Sequence, residues 1–288
     1  MKFSLKNLLA FLAMALFVVS CRTSDSDDST LPINPNTEME GLIKIKEISN
    51  DTHVIELFSK SGTIALGYND LQLRIKNKAT NQYEKNATIS WTPLMHMEMM
   101  AHSCPKSAVQ KLAPDGSLYG GYIVFQMPGN ATEYWDLKVD YTVGGTSYSA
   151  TTALDVPVET KKTVNSFLGS DNIKYVVAYI EPKSPKVAIN DMVLGVWKMQ
   201  DMMNFPVADG YTVKIDPRMP GMGNHSSPNN VNPTQTAPGK LYNGKLSLTM
   251  TGYWKINLQL ANPAGSIVGG EEITPANTAG SLFFELDF

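Results

Sequence analysis

From residue 64 onward, apolar and polar residues alternate in short runs, and no stretch after the N-terminus holds a 3.6-residue apolar period over three turns. The runs IALGYNDLQLRIKN (64–77), ATISWTP (87–93), YIVFQM (122–127) and YWDLKVDYTV (134–143) are rich in β-branched and aromatic residues. Gly, Asn and Pro bound them. KYVVAYIEP (174–182), AINDMVLGVWKM (188–199), YTVKIDP (211–217), GKLSLTM (244–250) and YWKINLQL (253–260) continue in the same character. Successive side chains of a strand point to opposite faces, so such runs bury one face each. The pattern predicts an all-β chain, and short strands at this regular spacing predict immunoglobulin-like sandwiches.

The chain also repeats itself. WTPLMHMEMMAHSCP (91–105), LYGGYIVFQM (118–127) and Tyr134-Trp135 are answered by DPRMPGMGNHSS (216–227), LYNGKLSLTM (241–250) and Tyr253-Trp254. His102 stands 17 residues before Tyr119, and His225 stands 17 before Tyr242. Each tyrosine is followed eight residues later by a methionine, Met127 and Met250. Upstream, Asn69-Asp70 answers Asn190-Asp191. Agreement in order and in spacing predicts an internal duplication. The expected units are a first β-sandwich over 39–156 and a second over 157–288. Their natural boundary is the Pro-containing, charged stretch 154–167, part of which has the character of an edge strand.

The N-terminus follows a different pattern. Lys2 and Lys6 precede an apolar run (8–20) too short to span a bilayer comfortably. The run ends in Val18-Val19-Ser20-Cys21, which resembles a bacterial lipobox. That resemblance implies a signal peptide over 1–20, cleavage before Cys21, and attachment to a membrane through lipid on Cys21. Residues 21–38 are polar, acidic and interrupted by Pro, which predicts a flexible tether. Asp25, Asp27 and Asp28 resemble the acidic export tags of Bacteroidota surface lipoproteins. The implied location is the cell envelope, the outer membrane before the inner, facing the periplasm or the cell surface.

A net charge of −3 without a basic patch argues against a nucleic-acid partner. The two cysteines are Cys21 and Cys104, so lipidation of the first leaves Cys104 without an intrachain partner and the chain without a disulfide framework. No nucleophile elbow, phosphate loop or paired-carboxylate motif is present, which predicts a non-enzymatic protein.

The candidate chemistry is a clustering of methionine with histidine. Met95, His96, Met97, Met99, Met100, His102 and Cys104 fall within ten residues, and Met219, Met222 and His225 share a Pro/Gly-rich segment. Thioether, imidazole and thiolate suit copper, and thioethers favour Cu(I), whereas zinc makes little use of methionine. Methionine is equally a core filler. Met127 and Met250 continue the inward face of Ile123-Phe125 and Leu246-Leu248, which predicts core or rim positions. Alternation through residues 93–100 sets Met95, Met97 and Met99 on one face and His96, Glu98 and Met100 on the other. Pro220, Gly221 and Gly223 predict an exposed turn for Met219 and Met222.

Met219-Pro220-Gly221-Met222, Tyr242 and Met250-Thr251-Gly252-Tyr253-Trp254 resemble the pattern of the YtkA-like domain, an immunoglobulin-like module of exported bacterial proteins. The likeness runs over roughly 174–260. The first copy follows more loosely, through Pro93-Leu94-Met95, Tyr119, Met127-Pro128-Gly129 and Trp135, and departs from the pattern at Cys104. The resemblance implies periplasmic copper handling, with a copper-handling or respiratory-oxidase partner protein. Two readings stay open: a lipoprotein that binds or passes copper through its Met/His loops, and a structural or protein-interaction module without metal.

Overall fold

The computed structural model describes residues 38–288. The expected signal peptide, Cys21 and all of the expected tether but Glu38 lie outside the described residues. Glu38 is docked rather than free: its carboxylate accepts the N–H of Leu118 at 2.8 Å and the hydroxyl of Ser117 at 3.1 Å. No helix among the described residues is long and apolar enough to cross a membrane.

Two antiparallel β-sandwiches follow one another. The first has strands β1 (Ile43–Ser49), β2 (His53–Ser59), β3 (Gly67–Asn77), β4 (Ala87–His96), β5 (Ala101–His102), β6 (Gln110–Lys111), β7 (Tyr119–Phe125), β8 (Tyr134–Val143) and β9 (Thr146–Leu154). Its sheets run β1-β2-β3-β7-β6 and β5-β4-β8-β9. The second has β10 (Val164–Leu168), β11 (Lys174–Glu181), β12 (Ile189–Lys198), β13 (Thr212–Met219), β14 (His225–Ser226), β15 (Val231–Gln235), β16 (Tyr242–Ser247), β17 (Tyr253–Ala261), β18 (Ile267–Gly269) and β19 (Phe283–Asp287). Its sheets run β10-β11-β12-β16-β15 and β14-β13-β17-β18, with β19 also paired to β17. The two orders match strand for strand, except that β18 and β19 share the place of β9. In both, β2-β3-β7-β6 and β4-β8-β9, or their counterparts, reproduce the two-sheet arrangement of the immunoglobulin fold.

The residues that repeat in sequence make the same hydrogen bonds in both sandwiches. Asn69 Oδ1 accepts the N–H of Ala65, and its Nδ2 donates to the carbonyls of Ala65 and Gly67. Asn190 makes the same three bonds to Lys186 and Ala188. Each asparagine thus fixes the loop that enters its strand. The Tyr119 hydroxyl accepts the N–H of Ala87 at 2.9 Å and donates to the carbonyl of Glu84 at 3.3 Å. The Tyr242 hydroxyl accepts from Tyr211 at 3.2 Å and donates to Ala208 at 2.5 Å. The fully buried indoles of Trp135 and Trp254 donate to the carbonyls of Met127 and Met250, at 2.9 and 3.0 Å. A buried backbone group left without such a partner costs roughly 1–3 kcal/mol, so these side chains hold the sandwich ends at specific residues.

Each sandwich buries its own core. The first core includes Leu71, Leu73, Trp91, Phe125 and Trp135; the second includes Tyr175, Leu194, Tyr242, Trp254 and Phe284. A third cluster joins them. On β11 the alternate residues Val176, Ala178 and Ile180 face away from the second core and pack with Trp197, Phe205 and Val164 against Val124 of β7. This is why β11 is apolar nearly throughout instead of alternating: both of its faces are covered. Trp197 closes the junction, donating its indole N–H to the Tyr122 hydroxyl at 3.3 Å.

Candidate metal centre

β4 ends at His96 and returns as β5, and the register of that hairpin sets Met95 directly opposite His102. β13 ends at Met219 and returns as β14, with Met219 directly opposite His225. Directly opposed residues share a face of the sheet, with Cβ atoms about 5 Å apart. The same Met–His cross-strand pair therefore stands at the same place in both sandwiches.

In the first sandwich the pair lies inward. Met95 has no exposed surface and His102 is buried. His102 Nδ1 lies 2.7 Å from the carbonyl of Ser103, which makes Nδ1–H the donor to it. The imidazole meets Trp135 edge-on at 5.7 Å, and the Gln126 amide lies 3.4 Å from Nδ1. A carbonyl that takes one ring N–H fixes the ring's orientation, as it does for metal-binding histidines. Met97 packs partly against the core, and its N–H donates to the carbonyl of Met100 to close the turn. Strict alternation thus ends at His96, and Met99, at 94% exposure, and Met100 project from the turn.

Two expected donors are engaged elsewhere. His96 Nε2 lies 2.7 Å from Asp136, and its ring stacks on Tyr134 at 4.7 Å, on the opposite face of β4 from Met95. Cys104 is fully buried in the first core, where burial pushes its thiol far above the usual range and Lys106 only partly offsets this. It is held as a neutral thiol, so the structure does not provide the thiolate expected of it.

In the second sandwich Met219 is the last residue of β13 and a core residue at 5% exposure, so the exposed turn begins one residue later than its sequence predicts. Pro220–Met222 forms a short 3-10 turn. Its neighbour Arg218 grips Asp216 with two hydrogen bonds of 2.7 and 2.9 Å and reaches the carbonyl of Asn224, bracing the loop. Met222 and His225 are exposed. Gly252, at φ +116°, lets the Met219 methyl approach: a Cβ there would lie 3.3 Å from it. Met127 and Met250 are partly buried against their cores, and what each offers in hydrogen bonding is its backbone carbonyl, bound to Trp135 or Trp254.

Among the described residues no three His, Cys, Asp or Glu side chains gather as a metal site would require. What each hairpin brings together is one imidazole and a thioether across the strand pair. The structure adds two methionines that the repeat did not reveal. The loop between β12 and β13 carries Met202 and Met203, both partly exposed, and the carbonyl of Met202 accepts the N–H of Ser103 at 2.8 Å. The only signal of this in the sequence was a Met pair between Asp201 and Asn204, both turn formers.

No family model matches the chain, and no curated protein does. Among solved structures it is similar to FdeC, described as a broadly conserved Escherichia coli adhesin, at 17% identity and a TM-score of 0.25. The match covers 78% of this chain, and this chain spans 60% of the length of that structure.

Proposed function

We propose that this chain is a non-enzymatic lipoprotein of the cell envelope that binds Cu(I) and passes it on at the Met–His hairpin of each sandwich. The observation that carries this reading is the recurrence of one cross-strand pair, Met95 with His102 and Met219 with His225, beside further methionines on the turns. A buried imidazole with Nδ1 committed to the Ser103 carbonyl supports a ligand role for Nε2 in the first sandwich. The resemblance of Met219 to Met222, Tyr242 and Met250 to Trp254 to the YtkA-like pattern agrees with it, as does a lipobox at Cys21 with an envelope location and a copper-handling partner protein. The test is an anaerobic titration of the mature chain with Cu(I) against a chromophoric Cu(I) chelator. Up to two equivalents retained in competition support the reading; a chelator that takes all the copper at every ratio ends it.

A second reading, an adaptable apolar contact surface for a partner protein without metal, is favoured by the near-complete exposure of Met99. Leucine tells the two apart. It preserves an apolar contact and removes the sulfur, so replacement of Met99, Met100 and Met222 leaves partner binding intact on the second reading and weakens copper binding on the first.

A further inference from the structure

We infer that the metal site of the first sandwich is completed by the second: Met202 and Met203 supply thioether donors to an ion held on His102 Nε2. This rests on the Cu(I) reading above and adds to it a ligand set that spans both sandwiches.

The loop that carries the two methionines is built to reach the first hairpin. At its base Lys198 N–H donates to the carbonyl of Pro206 and Gln200 N–H to that of Asn204. At its tip the Asp201 carboxylate accepts the N–H groups of Met203 and Asn204 at 2.8 and 2.9 Å and the Asn204 amide at 3.0 Å. Phe205 is buried in the junction beside Trp197, which anchors the loop from within. So braced, the tip docks on the segment that follows His102. Ser103 N–H donates to the carbonyl of Met202 at 2.8 Å, and Lys106 Nζ reaches both the carbonyl of Met203 and the Ser103 hydroxyl at 3.4 Å. Ser103 is also the residue whose carbonyl fixes the His102 tautomer. One residue therefore ties the imidazole to one side of the junction and Met202 to the other.

The exposure of these methionines argues against a packing role. Phe205 fills the junction, whereas Met202 and Met203 remain 42% and 39% exposed, at a turn tip where an apolar side chain contributes little to stability. The first hairpin also needs donors from elsewhere. In the second sandwich the turn itself carries Met222 directly before the Gly223-Asn224 pair that leads into His225. In the first sandwich His96 is bound to Asp136 and Cys104 is buried in the core. His102 has Met95 opposite it in register, and the Met202–Met203 tip is hydrogen-bonded to Ser103, the residue that follows it. Thioethers together with an imidazole match the preference of Cu(I) for few, polarisable ligands.

The test uses the mature chain with 13C-methyl methionine, titrated anaerobically with Cu(I) alone, and the M202L/M203L variant, which conserves volume and leaves every backbone contact of the loop in place. The expected result is that the first equivalent shifts the methyl signals of Met202 and Met203. The variant then binds that equivalent at least tenfold more weakly, while binding at Met222 and His225 is unchanged. If the parent binds and H102Q loses the site, yet M202L/M203L binds as tightly as the parent, the junction site is wrong and the Cu(I) reading stands. If the parent binds no Cu(I), both fall. The methyl shifts are read on the unmutated chain, so the inference does not depend on a variant folding.

Discussion

Met95 is both a core residue and a candidate ligand, and a pair of substitutions separates the two roles. It has no exposed surface and lies in register between Trp135 on β8 and His102 on β5. Met95→Ala leaves a cavity that the tryptophan-rich surroundings cannot readily collapse, at a cost of about 2–5 kcal/mol. Against a total stability of about 5–15 kcal/mol that is a large share, and copper lost in that variant would say nothing about coordination. Met95→Leu nearly conserves volume and should cost less than about 1.5 kcal/mol. Urea denaturation of both variants reads the packing term. Competitive Cu(I) titration of Met95→Leu reads the sulfur, with a tenfold weaker first site expected, equivalent to about 1.4 kcal/mol. If Met95→Leu is as stable as the parent and binds the first equivalent as tightly, Met95 is packing alone and the Met–His pair loses its meaning as a ligand pair.

Tyr242→Phe and Tyr119→Phe each orphan a backbone N–H and a carbonyl while keeping the ring, and should each cost roughly 1–3 kcal/mol in urea denaturation. Faster amide exchange at Tyr211 and at Ala87 is the local readout, and unchanged exchange would refute the role of the hydroxyl. Cys104, with its thiol pKa raised by burial, keeps its proton in the folded chain where the unfolded chain releases it above about pH 8.5. Stability should therefore fall as pH rises from about 8.5 toward 10, and Cys104→Ala should flatten that slope in denaturation series. Trp197→Ala removes the fully buried centre of the junction, so a loss of about 3–5 kcal/mol and an increase in radius by small-angle scattering are expected; an unchanged radius would mean the sandwiches dock without it.

The strand pattern was readable because nearly every strand keeps one face in a core, and the residues that departed from alternation did so for physical reasons. β11 reads as a continuous apolar run because the first sandwich covers its outer face, which no local pattern announces. The paired asparagines, tyrosines and tryptophans were visible as constant offsets, but an offset does not reveal that Tyr119 and Tyr242 serve as backbone pins and not as ligands. Alternation through 93–100 places Met97 on the side of the core, where it packs, but misassigns Met99, because the strand stops at His96 and the N–H of Met97 turns back to Met100. Met219 was taken for a turn residue because Pro220 and Gly221 follow it; proline opens the turn and leaves the preceding residue extended, so Met219 finishes the strand with its side chain inside. Met202 and Met203 have no repeat partner, and the bond from Ser103 to Met202 arises only when the sandwiches dock.

This division between pins and hairpins has a consequence for how such a module varies. The Asn, Tyr and Trp bonds fix the ends of strands that both copies need, and each is made to a backbone group, so they impose little on the side chains around them. The hairpin after β4 or β13 carries none of these bonds. It differs between copies in length, in its turn and in the burial of its histidine, yet the register at its root keeps Met opposite His in both. A scaffold pinned through its backbone thus leaves one hairpin free to change its donors while the entry pair stays in place. In the first copy His102 is buried, and in the second His225 is open to solvent, as Met222 is. The Met–His pair enclosed in one copy and open in the other thus differs in access to solvent before it differs in its donor atoms.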